Sequence, residues 1–199
     1  MTLKFKHNAN LLDVLDVDLL PAFPDKNKFP HLLEIERQYQ SIMDEWNSVP
    51  IDDLFLEHPQ DIYKGGWEFI PLVKPLYDKH KNLDRDLFFD KQFPKTTEIV
   101  RNALGNRPFS LWFSRLKSGT ELVEHRGNFA NFLRAHLGID IPAGDVKLKV
   151  SGEERTWSNG EILVFDDRQK HSAWNNTDKD RIILIIDFVV DDDETFFKE

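Results

Sequence analysis

Residues 131–138 read Asn-Phe-Leu-Arg-Ala-His-Leu-Gly (NFLRAHLG). A period-two alternation puts Phe132, Arg134 and His136 on one face of a strand, and Leu133, Ala135 and Leu137 on the other. The second face is an ordinary core face. The first carries a guanidinium and an imidazole, which a dry interior accepts only with partners. The run Arg181–Phe188 (RIILIIDF) repeats the pattern: Arg181, Ile183, Ile185 and Asp187 face one way, Ile182, Leu184, Ile186 and Phe188 the other. Two strands that each present an arginine at one end of a mostly apolar surface fit a barrel with a polar, ligand-filled mouth.

The neighbouring sequence agrees. From Pro108 onward the chain breaks into short β-rich runs, FSLWFSRL, TELVEH, VKLKV, EILVFD and HSAWN among them. Turn signals separate them at Lys117-Ser118-Gly119, Ile141-Pro142-Ala143-Gly144 and Ser158-Asn159-Gly160. Strands at this spacing indicate a β-sandwich or barrel. Ahead of them, Leu32, Ile35, Tyr39, Ile42 and Trp46 recur at helical spacing between Pro30 and Pro50, predicting one amphipathic helix. Residues 51–95 read as strand pieces joined by loops, and a short helix is expected over Thr97–Leu104, stopped by Gly105-Asn106. The organisation expected is a single domain over 1–199, with 1–107 as a helical and loop support and 108–190 as the β core carrying the site.

Composition narrows the chemistry. With 199 residues, 40% of them hydrophobic, the chain can build a real core, burying ~70% of its unfolded surface. There is no cysteine, which excludes disulfides, thiolate metal sites and cysteine nucleophiles, so any metal must be held by His, Asp or Glu. A formal charge of −9 argues against a nucleic-acid partner. The terminal DDDETFFKE is expected to be a solvated tail. No apolar stretch reaches the ~18 residues of a membrane span, and the start lacks the apolar region of a signal peptide. The expected location is therefore cytoplasmic. Oligomeric state is not legible.

The candidate site is a pattern of spacings. Two imidazoles and a carboxylate on one face of a metal make the non-heme iron(II) oxygenase centre. Its usual sequence form is His-x-Asp or His-x-Glu, a distant His, and an arginine about ten residues later that grips the far carboxylate of 2-oxoglutarate through a bidentate fork. His125 heads the first element, His171 lies 46 residues on, and Arg181 follows 10 later inside an apolar strand. The carboxylate position holds Gly127.

Here the residues resemble a known family. HRG followed by LRAHLGI, then W..GEILVFDD...H..WN and an arginine opening the last strand, is similar to the aspartyl/asparaginyl β-hydroxylases. The upstream IYKGGWEFIPL and SLWFSRLKSGTELVEH share the likeness. The resemblance covers roughly residues 60–190 and implies a double-stranded β-helix, a jelly-roll relative of the cupins. It also implies an iron(II)- and 2-oxoglutarate-dependent oxygenase that uses O2 to hydroxylate an unactivated C–H of an amino acid, a peptide or a small metabolite. His125 and His171 would be the iron ligands. Ser114 and Arg181 would hold the distal carboxylate of 2-oxoglutarate, and Arg134 and His136 would sit near its chelating end or contact substrate. Some members of the family also carry glycine at the Gly127 position and bind iron through two histidines. The animal enzymes have an additional arginine where this chain has Phe132, as well as a membrane anchor and a helical-repeat region. The HRG form also resembles membrane-anchored bacterial lipid A acyl-chain hydroxylases.

Other readings stay beside this one. Glycine at the carboxylate position would also suit a halogenase. A non-catalytic barrel module could keep the fold without turnover. A cupin-like enzyme without 2-oxoglutarate would need three or four protein ligands, and two are identifiable. Arg181 could form a buried salt bridge with Asp187, its same-face neighbour, and His136 could be a core histidine. Asp166 and Asp167 are read as a strand-end turn and left out of the site. Trp67, Trp112, Trp157 and Trp174 are read as core or rim aromatics, and His7, His31, His58 and His80 as structural.

Overall fold

Two antiparallel sheets face each other in the computed structural model, which describes residues 21–73, 88–127 and 132–190. His7, His80 and the tail 191–199 lie outside the described residues. The strands are β1 (Leu56–Glu57), β2 (Tyr63–Lys64), β3 (Trp67–Val73), β4 (Phe109–Leu116), β5 (Thr120–His125), β6 (Leu133–Asp140), β7 (Val146–Val150), β8 (Glu153–Arg155), β9 (Ile162–Phe165), β10 (His171–Asn175) and β11 (Arg181–Phe188). A six-stranded sheet runs β1-β3-β4-β11-β6-β9 and a five-stranded sheet β2-β5-β10-β7-β8. Chain neighbours repeatedly cross between the two sheets, as in a double-stranded β-helix. The segment before residue 108 supplies strands as well as helices, since β3 pairs with β4 and β2 with β5.

Among the described residues, three α-helices cover the outer face of the larger sheet: α1 (Pro30–Arg37), α2 (Tyr39–Ser48) and α3 (Pro94–Leu104). The single helix expected between Pro30 and Pro50 is two, divided at Gln38, whose N–H turns back to the carbonyls of Ile35 and Glu36. Its apolar stripe survives the break, for Leu32, Ile35, Ile42 and Trp46 are all buried. The third helix begins at Pro94, three residues before the expected start. Proline tolerates the first turn, and the Glu45 carboxylate of α2 accepts from the Lys95 and Thr96 amides at 2.8 and 2.7 Å. Gly105, at φ 61°, ends it.

The alternation read in β6 and β11 sorts two cores. Leu133, Ala135, Leu137, Ile182, Leu184, Ile186 and Phe188 pack under the helices. Ile183 and Ile185 point between the sheets, among Trp67, Leu116, Leu148, Trp157 and Phe165. Strand β11 lies between β4 and β6, and every one of its residues is buried. Arg181 and Asp187 are thus carried into the interior by the same alternation that buries the isoleucines. The outermost strand β8, unanticipated from sequence, is Glu-Glu-Arg and wholly exposed, a charged edge of the kind that resists pairing with another chain.

Candidate active site

Strands β5 and β10 bring the two histidines together. His171 stands opposite His125 in the ladder, with their ring centroids 4.1 Å apart. The register is irregular here: β10 advances from Ala173 to His171 while β5 advances from Leu122 to His125. One extra residue on β5 is a β-bulge that re-aims the strand end. Each ring is fixed the same way. Nδ1 of His125 donates to the Val123 carbonyl and Nδ1 of His171 to the Gln169 carbonyl, both at 2.8 Å. A carbonyl can only accept, so Nδ1 carries a proton in both rings, which directs each Nε2 to serve as the metal-binding atom. Burial pulls His171 down to about 4, against the opposing effect of Asp167, which keeps the ring neutral at pH 7.

Gly127 is filled from elsewhere in the chain. A Cβ built there would lie 1.6 Å from Oδ2 and 2.4 Å from Cγ of Asp167. The Gly127 amide donates to the Asp167 carbonyl at 2.7 Å, locking the two segments side by side. Asp167 Oδ1 accepts from Arg134 Nη1 at 2.6 Å and lies 3.4 Å from His171 Nε2. Asp167 therefore belongs to the site although the sequence reading set it aside. Asp166 is the turn residue expected, accepting from the Arg168 amide at 2.9 Å and pairing with the Arg168 side chain at 2.6 Å. Among the described residues, no three His, Asp or Glu side chains are grouped to hold a metal.

Arg134 stands beside this pair with its fork occupied. Nε and Nη2 donate to the two Asp187 oxygens at 2.7 and 3.1 Å, a bidentate pairing, while Nη1 meets Asp167. Ser110 Oγ adds a hydrogen bond to Asp187 at 3.3 Å. Burial pushes the Asp187 carboxyl up, opposed by Arg134. Asp187 is thus the partner of Arg134, its cross-strand neighbour, and not of Arg181, the partner suggested by position along β11.

Arg181 lies at the other end of β11, 2% exposed, with Nε and Nη1 lacking any hydrogen-bond acceptor. Its guanidinium lies 4.8 Å from the Trp157 ring centroid, and burial pulls it down to about 9, leaving it charged at neutral pH. Trp157 also donates from Nε1 to His136 Nδ1 at 3.3 Å. That fixes the His136 proton on Nε2, which is buried without a partner. Burial, then the Arg134 and Arg181 charges, hold His136 well below its ordinary value. Trp157 thus sits between two sets of unmatched donors. Ser114, fully buried on β4, accepts from Trp67 Nε1 at 3.0 Å, which leaves its own hydroxyl proton to donate. Trp67 and Trp157 are more than core aromatics, a role that no linear spacing signals. His58 stacks on Trp67 at 3.4 Å and His31 packs edge-on against Phe29 and Phe188, away from the histidine pair.

Residues 31–190 match the family model described as aspartyl/asparaginyl beta-hydroxylase. The chain belongs to that family. It is 31% identical over 179 residues to the ornithine lipid ester-linked acyl 2-hydroxylase of Rhizobium tropici, covering 85% of this chain and 60% of that protein. It is 29% identical over 171 residues to human aspartyl/asparaginyl beta-hydroxylase, 82% of this chain and 22% of that one. The chain thus spans less than two thirds of the length of either relative. Among solved structures, a cupin-like protein of Thermotoga maritima shares 12% identity at a TM-score of 0.41, over 66% of this chain and 74% of that one. No described helix is long and apolar enough to cross a membrane.

Proposed function

We propose that the chain is an iron(II)- and 2-oxoglutarate-dependent hydroxylase acting on an unactivated C–H. The observation that carries this is the set of buried, unmatched donors: Nε and Nη1 of Arg181 and Nε2 of His136. Leaving such groups unpaired costs about 1–3 kcal/mol each, more for a charged one, and two carboxylate groups joined by a short chain would match them. Next to these donors stand two imidazoles whose Nδ1 atoms are held by backbone carbonyls, which leaves Nε2 for a metal, a donor set suited to ferrous iron.

In this reading His125 and His171 hold the iron, and Arg181 with the Ser114 hydroxyl holds the distal carboxylate of 2-oxoglutarate. His136 donates from Nε2 near the other end, and Trp157 sets that proton by taking up Nδ1. Arg134 holds Asp167 in the space left by Gly127. When bound, the iron and 2-oxoglutarate supply the oxidising chemistry: one atom of O2 enters succinate with loss of CO2, the other becomes the new hydroxyl. The protein orients these parts and keeps water from the oxidant. The family's description as β-hydroxylases and the relatives named as hydroxylases support hydroxylation. The Asp167 carboxylate beside Gly127 favours it over halogenation, which would need that side for halide. Anaerobic titration of iron(II) with 2-oxoglutarate tests the assignment through the visible charge-transfer band of the chelate. The wild type develops the band, His171→Ala loses iron, and Arg181→Ala needs at least tenfold more 2-oxoglutarate. A band unchanged in both variants refutes it.

A further inference from the structure

The turn that leads into His171 is tied to two other parts of the chain through one side chain. Gln169 is 1% exposed, and its backbone carbonyl takes the Nδ1 proton of His171 at 2.8 Å. On its side chain, Nε2 donates to the Pro21 carbonyl at 3.2 Å and Oε1 accepts from the Ser151 hydroxyl at 2.6 Å. A carbonyl can only accept, which fixes the amide this way round. Ser151 and Gly152 form the two-residue turn between β7 and β8, at φ 46° and 91°. Such a turn favours Asn or Gly at its first position, and among the described residues Ser151 is the one non-glycine with positive φ. The backbone does not call for serine there; the bond to Gln169 does. The Ser151 amide also donates to the Lys170 carbonyl at 2.8 Å, so the β7–β8 turn grips the His171 turn by main chain and side chain.

The segment 21–25 is anchored at its other end as well. Phe23 lies 5.5 Å from the Arg155 guanidinium of β8. Lys26 pairs with Glu36 at 2.7 Å, and Glu36 accepts from the Ile162 amide of β9 at 2.5 Å. Strands β8 and β9 each end a sheet, so these residues form a strap from one sheet edge to the other. Ala22, 5% exposed, joins the inner core that includes Trp157 and Phe165.

We propose that Gln169 is a positioning residue for His171 and couples it to this strap. Seating of the strap holds the carbonyl that orients the imidazole, and a metal on His171 in turn holds the strap down. This rests on the reading of His171 as an iron ligand. The outer partners of a ligating histidine contribute about 10–100-fold to metal affinity, and coupling between two sites acts equally in both directions.

The test uses the full chain, without oxygen, and iron(II) alone as the probe. Wild-type iron binding and the charge-transfer band with 2-oxoglutarate are recorded first. Gln169→Leu, which keeps the backbone carbonyl, should weaken iron(II) binding about tenfold. Ser151→Gly relieves the turn while removing the hydroxyl, so it should weaken iron(II) about tenfold at an unchanged or higher Tm. A merely structural contact would move Tm and not the metal. The strap is read through Ala22→Cys, which gives a chain without cysteine its single thiol. Iron(II) should slow alkylation of that thiol by a maleimide about tenfold. Adding Gln169→Leu should speed alkylation of the metal-free protein and abolish the slowing. Iron affinity unchanged in either variant, with the wild-type band intact, overturns the coupling and leaves the hydroxylase reading standing. Alkylation that iron does not slow overturns it as well, and so does slowing that persists in Gln169→Leu, since the protection then bypasses Gln169. Iron binding without the band removes the hydroxylase reading and leaves the coupling; no iron binding removes both.

Discussion

Gly127→Ala probes the contact between two distant turns. The added Cβ would lie 1.6 Å from Asp167 Oδ2 and 2.4 Å from its Cγ, while the Asp167 backbone carbonyl, at 3.0 Å, needs to yield only a few tenths of an ångström. The side chain must therefore swing away, which breaks the 2.6 Å ion pair to Arg134 and removes the carboxylate from His171. Arg134 keeps Asp187, so no charge is stranded in the core. Losing one buried, charge-assisted hydrogen bond costs roughly 2–3 kcal/mol. For a domain of this size that lowers Tm by roughly 5–10 °C. Urea unfolding of the metal-free protein should show the midpoint fall at unchanged slope. The deciding measurement is the double variant. With Asp167→Ala already in place the clash is gone, so adding Gly127→Ala should cost less than about 0.5 kcal/mol. A full additional loss in that background would mean that the backbone, not the carboxylate, sets the limit, and the reasoning would be wrong.

Arg181→Met should stabilise the metal-free protein by about 1–3 kcal/mol, because a buried charge without an acceptor is replaced by an apolar chain of similar length, while 2-oxoglutarate binding is lost; a destabilised variant would show that Arg181 is structurally paired. Removing the carboxylate that caps α3, by Glu45→Ala, should cost about 1–2 kcal/mol in thermal or urea unfolding. Burial, with the Arg107 charge adding to it, pulls His31 down to about 4 from 6.5. The unfolded chain therefore binds more protons between those values, and the stabilisation, full above pH 6.5, is lost as pH falls towards 4. It amounts to about 2 kcal/mol after allowance for partial exposure, and His31→Phe should flatten that part of the stability–pH curve.

What the sequence made legible was whatever repeats at the strand period. The runs FSLWFSRL, TELVEH, VKLKV, HSAWN and RIILIIDF coincide with β4, β5, β7, β10 and β11. The polar faces of β6 and β11 were visible because a buried Arg or His violates the apolar alternation around it. Gln38, by contrast, breaks a helix whose stripe continues unbroken past it, so periodicity alone gave one helix where there are two. Which carboxylate meets which arginine was hidden. Asp187 is on the face of Arg181 along its own strand, but six residues of extended chain separate them, whereas Arg134 lies directly opposite across the ladder. Asp167 was hidden for a related reason: its partner in space is a glycine forty residues earlier, and the absence of a side chain leaves no mark in a pattern of side chains.

The irregular pairing of β5 against β10 has a further consequence. If the register of Ala173 with Leu122 ran on unbroken, His171 would oppose Glu124, and His125 would turn to the far side of the sheet. At the present strand length, convergence of the imidazoles thus depends on the extra residue being taken up as a bulge. Straightening the ladder at the present strand length would leave both histidines in the sequence at their present separation, yet point them in opposite directions. A comparison that asks only whether both histidines remain would therefore miss a loss of the bulge that brings them together.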